Sequence, residues 1–125
     1  MATILHLLPT ADWESTKPFA PVTNASLATD GFIHCTDDRD VLLQVANNFY
    51  RGLTGEFVVL EIDTDRLTAE CVWEEPAHVV PTDTPPAAPR FPHIYGPINR
   101  GAIIGVVPVM RDAAGAFAGY DARRA

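Results

Sequence analysis

Three of the four histidines stand in motifs whose neighbours could do chemistry with them. The densest is the stretch of residues 90–97, Arg-Phe-Pro-His-Ile-Tyr-Gly-Pro, which gathers Arg90, His93 and Tyr95 within six positions. Proline fixes φ and glycine permits φ > 0, so Pro92, Gly96 and Pro97 predict a stiff, shaped turn here. Far upstream, Gly31-Phe32-Ile33-His34-Cys35-Thr36 carries a second histidine, and His6 lies in the first apolar run. Imidazole serves near neutral pH as acid, base or anion contact. Were the three to converge, they would wall a cleft with Thr36, Glu74 and Tyr95 as further catalytic candidates.

These residues need elements to place them. Residues 3–8 are β-branched and apolar and end at Pro9, which predicts a buried strand with Ile4, His6 and Leu8 on one face. Thr10 reads as the N-cap of a short helix, and residues 26–31 as a helical turn closed by Gly31. Residues 32–35 follow as a short strand, on which His34 and Cys35 point to opposite faces. The main helix is expected at about 37–50, with Thr36 as N-cap and Val41, Leu42, Val45 and Phe49 as its apolar stripe. Its N-terminus, two residues past His34, would suit an anion. Arg39 in its first turn, Asn47 on its boundary, Arg90 and Gly96 are the ligand-binding candidates. Residues 56–62, 71–74 and 102–109 read as strands, the last entering a hairpin through residues 112–115. Six prolines between residues 76 and 92 predict a long loop, a candidate lid over the cleft.

Composition narrows the function classes. A chain of 125 residues is long enough for one domain with its own core, so residues 1–125 are taken as one. Net charge is −7, and no Lys/Arg cluster occurs outside Arg123-Arg124, which argues against bulk nucleic-acid binding. A single arginine can still grip a small anion bidentately. No apolar run approaches the roughly 20 residues of a bilayer span, and no secretory leader opens the chain, so a cytoplasmic, non-membrane protein is expected. Cys35 and Cys71 match no paired metal-ligand spacing and are expected to be reduced, with Cys35 structural. No cofactor and no oligomeric state can be read from the residues.

Taken together, Ile4-Leu5-His6, Ser26-Leu27-Ala28, residues 31–36, residues 44–50, Trp73-Glu74 and residues 91–97 resemble the bacterial DUF952 family over roughly residues 3–110. The resemblance implies an α+β domain with small, mostly antiparallel sheets, distantly similar to the ADP-ribosyltransferase fold. By that analogy His6 would hold a ribose, Tyr95 or Tyr50 would stack on a nicotinamide, and Glu74 would polarise a ribose hydroxyl. His6 is followed by Leu7-Leu8 rather than the Gly-Thr/Ser of many such enzymes, so the fold analogy reaches further than the catalytic one.

Four functional classes follow. The first is a binder of, or enzyme on, a small nucleotide-like ligand, with an ADP-ribosyl-transfer relation. The second is a structural or interaction domain without catalysis. The third is a two-histidine phosphoesterase, in which His34-x-Thr36 and His93-x-Tyr95 grip one phosphate. The fourth is a metal-dependent hydrolase on His6, His34 and His93, a ligand set that suits zinc but lacks a close-spaced pair.

Overall fold

In the computed structural model, which describes residues 2–74 and 90–121, the first apolar run becomes strand β1 (Thr3–Pro9). It pairs antiparallel with β3 (Phe57–Asp63), His6 opposite Leu60. On its other edge β3 pairs with β6 (Ile103–Arg111), and β6 pairs in turn with β7 (Phe117–Tyr120). The result is a four-stranded antiparallel sheet in the order β1-β3-β6-β7. A second antiparallel sheet has three strands: β2 (Ile33–His34), β5 (Phe91–Ile94) and β4 (Cys71–Glu74), with β5 central. The sheets meet where Leu5 and Thr36 exchange backbone hydrogen bonds (Leu5 N to Thr36 O 2.6 Å, Thr36 N to Leu5 O 2.9 Å).

Period-two alternation divides the core. Ile4, Leu8, Val58, Leu60 and Ile62 pack with Ile33, Cys35 and Ile94 of the second sheet. Their neighbours Leu5, Phe57 and Val59 pack instead with Leu42 and Ala46 of helix α3 (Arg39–Phe49). The four-stranded sheet therefore separates two cores, one shared with the second sheet and one under α3. Two short helices, α1 (Thr10–Ser15) and α2 (Ser26–Thr29), lie in the connection between β1 and β2. Gly31 closes the second at φ +87°, the left-handed conformation glycine adopts without penalty. Among the described residues no helix is long and apolar enough to cross a membrane.

Three local expectations are corrected. The main helix begins at Arg39, and its cap is Asp38, whose carboxylate accepts from the backbone N–H of Asp40 and Val41. Thr36 cannot cap it, because a cap's carbonyl accepts the first helical hydrogen bond, and that of Thr36 already accepts from Leu5 N. Helix α1 starts at Thr10 itself, after Pro9, without a side-chain cap. Residues 91–94, expected within a turn, form the central strand of the second sheet. Pro92 is tolerated there because the side from which its N–H is missing faces β2 at the end of a two-residue ladder, where Cys35 N donates to the Pro92 carbonyl at 3.1 Å. Residues 76–89 of the expected proline-rich loop, and with them the lid, lie outside the described residues.

Candidate functional site

The second sheet presents its chemistry on the face turned away from the shared core. Ile33, Cys35, Ile94, Cys71 and Trp73 belong to that core, so the alternate residues His34, His93 and Glu74 point to the other side. Antiparallel register sets His34 directly opposite His93, with ring centroids 5.5 Å apart. Phe32, two residues before His34, stacks on the His93 ring at 4.0 Å and 20°, and lies 5.4 Å from the Tyr95 ring.

Glu74 ties this face together. Its Oε1 accepts from His93 Nδ1 at 2.9 Å and from the Tyr95 hydroxyl at 2.5 Å. The Tyr95 hydrogen bond first, and the His93 one second, hold the Glu74 carboxyl below its ordinary range; the same carboxylate pushes the Tyr95 hydroxyl up. A carboxylate accepts and does not donate, so the His93 proton sits on Nδ1 in the neutral ring. His93 Nε2 has no hydrogen-bond partner among the described residues. His34 is held through Nε2 by Asp30 at 2.8 Å, one helical turn earlier in sequence. His93 is buried, 2% exposed, while Tyr95 is 41% exposed, so the array runs from the interior to the surface.

His6 approaches from the core side. Its Nδ1 lies 2.9 Å from the His34 carbonyl, which can only accept, so Nδ1 carries the proton. Its Nε2 is buried without a partner among the described residues. Burial, more than any neighbour, holds this imidazole below its ordinary value and keeps it neutral. The three histidines thus form one contact chain, although His6 touches the His34 backbone rather than its ring.

The remaining candidates are placed elsewhere. Arg39 pairs with Glu61 at 2.7 Å and lies over the Tyr120 ring, on the α3 side of the four-stranded sheet. Asn47 binds the backbone of Phe117 through both ends of its amide, also on that side. Tyr50 packs on Phe57 there as well. Thr36 is buried, its hydroxyl donating weakly to the Asp38 carbonyl at 3.4 Å. Gly96 has a packing reason, since a Cβ there would meet Ala69 Cβ at 2.9 Å. Arg90 is exposed at the head of β5. Two partners were missed: Asp30 and Phe32. Their signals are modest, a carboxylate four residues before His34 and an aromatic alternating with it.

Two chemistries are not assembled. Antiparallel pairing of His34 with His93 sends Thr36 and Tyr95 to opposite ends of the pair, so the two His-x-Thr/Tyr motifs cannot close on one phosphate. Among the described residues no three His, Cys, Asp or Glu side chains stand where they could hold a metal ion. A separate groove of about 450 Å³, lined by Trp13, Phe19, Arg100 and residues 103–106, has no carboxylate or imidazole for acid–base work among its described lining residues.

Comparison with known proteins agrees on the fold. The family model described as protein of unknown function, DUF952, matches residues 7–106. The crystal structure of protein CC0527 from Caulobacter crescentus, a structural genomics target, is 24% identical, with a TM-score of 0.70 and 94% of each chain covered. The solution structure of CC0527 is 25% identical, with a TM-score of 0.65, covering 92% of this chain and 90% of that one. No curated protein matches the chain.

Proposed function

The chain belongs to the DUF952 family, and we propose that it is a single-domain cytoplasmic protein that binds, or acts on, a small nucleotide-like ligand at the face of His34, His93 and Tyr95. One observation carries this reading: Glu74 accepts from both His93 Nδ1 and the Tyr95 hydroxyl, which leaves His93 Nε2 as the ring nitrogen open to a ligand. A carboxylate behind an imidazole fixes the tautomer and steadies the ring as proton acceptor, the arrangement general-base catalysis uses. A ligand hydroxyl within hydrogen-bond reach of Nε2 would give up its proton there. Phe32 and Tyr95 offer ring faces for a base. In the ADP-ribosyl-transfer form of this reading, Glu74 orients a ribose hydroxyl and Tyr95 stacks on the nicotinamide, while His6, buried on the core side, steadies the His34 backbone from behind.

Calorimetric titration with NAD, ADP-ribose and related nucleotides tests it. Measurable binding is expected, weakened at least tenfold by His93→Ala and measurably by Tyr95→Phe. The second variant retains the ring at an exposed position, so its fold survives. Absence of binding by every nucleotide to intact protein overturns the proposal.

A second reading, an interaction domain without catalysis, draws on burial. His6 and His93 are 3% and 2% exposed, and each has Nδ1 satisfied internally. Under it, His93→Ala breaks a buried polar network and costs several kcal/mol of stability, on the order of 3.

A further inference from the structure

Charge around the candidate site says which part of a ligand it accepts. Two carboxylates hold the two facing imidazoles, and a third acts on the neighbouring Tyr95 hydroxyl. Asp30 holds His34, Glu74 holds His93 and Tyr95, and Glu70 receives the Tyr95 N–H on its carbonyl at 2.8 Å, with its carboxylate near enough to act on the Tyr95 hydroxyl.

Among the described residues, the paired cations stand elsewhere. Arg39 is engaged with Glu61 across the four-stranded sheet, and Arg66 with Asp63. Arg100 and Arg111 are each held by backbone carbonyls, of the segment around Ala20 and of the β6–β7 hairpin respectively. Residues 75–89 contain no Lys or Arg. Arg90 is exposed one residue before β5 begins.

Backbone offers no substitute. The N-terminus of α3 is the nearest long-helix end to His34 in sequence. Its N–H groups at Asp40 and Val41 are already taken by the Asp38 carboxylate, and Asp37 and Asp40 add to the negative charge there. Phosphate recognition draws on a bidentate arginine or on free N–H groups at a helix start. Neither stands at this face among the described residues.

Resting on the reading of a nucleotide-like ligand, we infer that the group reaching His93, Glu74 and Tyr95 is uncharged or cationic: the nucleoside end of the ligand, with any phosphate directed away from the site. A sugar hydroxyl or ring N–H can donate to His93 Nε2 without opposing the carboxylates. A phosphate in the same place would face them with no cation among the described residues paired to offset its charge.

Calorimetry of the full chain with adenosine and with AMP, at low salt, decides this. Adenosine is expected to bind more tightly than AMP, by about fivefold, the effect of one unit-charge repulsion at ~4 Å in water. Glu74→Gln, which removes the charge and keeps an acceptor oxygen, is expected to bring the two within about twofold. AMP binding tenfold more tightly than adenosine overturns the inference while leaving the nucleotide-like reading standing, and loss of that advantage in Arg90→Ala would name the missed cation. A fivefold gap unchanged by Glu74→Gln also overturns it, since the carboxylate is its stated cause. Binding of neither compound removes the underlying reading, and this inference with it.

Discussion

Asn47 offers the sharpest test of where the structure departs from the expected cleft. Its Nδ2 donates to the Phe117 carbonyl at 3.1 Å, and its Oδ1 accepts from the Phe117 N–H at 2.7 Å. One side chain thereby fastens α3 to the last strand, and Phe117 is 3% exposed, packed edge-on against Phe57 at 5.2 Å. Asn47→Ala removes both bonds at once and leaves an N–H and a carbonyl unmet beside a buried ring. At about 1–1.5 kcal/mol for each bond the loss is ~2–3 kcal/mol. For a domain of this size that corresponds to a fall in Tm of about 10 °C. Urea and thermal denaturation followed by circular dichroism read both quantities. Asn47→Asp is expected to lose about as much, because its carboxylate keeps the bond from Phe117 N–H but faces the Phe117 carbonyl with no donor. Nucleotide affinity at 25 °C should be unchanged in both variants, since the four-stranded sheet lies between Asn47 and the histidines. A stability change under ~0.5 kcal/mol, the range of an ordinary surface substitution, or a selective loss of ligand affinity, would refute the reasoning.

Other perturbations follow from the same geometry. His6 is held neutral by burial, so the unfolded chain takes up a proton that the folded chain resists. Its contribution to stability is therefore intact above pH ~6.5 and declines as pH falls below it, by up to ~1.4 kcal/mol per pH unit until the folded group also titrates; denaturant midpoints between pH 7.5 and 5.5 should show a shallower slope in His6→Leu, and equal slopes would refute this. Gly96→Ala should cost about 1–3 kcal/mol, because its Cβ meets another Cβ packed against the core at 2.9 Å. Gly105→Ala should cost less, since the clash is with the far end of the Glu61 side chain, which can swing out and release Arg39; paired chemical denaturation ranks the two. Phe19 is 94% exposed at φ +68°, so Phe19→Gly should leave stability unchanged or raise it by up to ~1 kcal/mol, read from the denaturant midpoint.

How far the fold was legible depended on how local its causes are. Short β-branched, apolar runs in residues 3–8 and 56–62 mark β1 and β3 from their own residues, and Cys71–Glu74 is the strand expected there. Residues 91–94 escaped because Pro92 argues against a strand locally, whereas the gap it leaves falls at the end of β2, a fact of register alone. Thr36 and Asp38 are both good caps; the bridge to Leu5, thirty-one residues away, decides between them. The meeting of His34, His93, Glu74 and Tyr95 was anticipated as residue types, but the shared Glu74 oxygen depends on strands β4 and β5 lying side by side. Asn47 was unreadable for the same reason: its partner is seventy residues distant.

The two cysteines give this architecture a built-in clock. Burial raises the Cys35 thiol well above its ordinary range, and that of the half-buried Cys71 to about 11, so neither offers much thiolate at neutral pH. Alkylation of native Cys35 must then wait for an opening that brings it to solvent. Cys35 follows β2 directly and donates its N–H to Pro92 on β5, so that opening parts the strands that set His34 against His93. The rate at which a small reagent adds mass at Cys35, with Cys71 as internal reference, measures how often the histidine face comes apart. A ligand bound across that face should slow it.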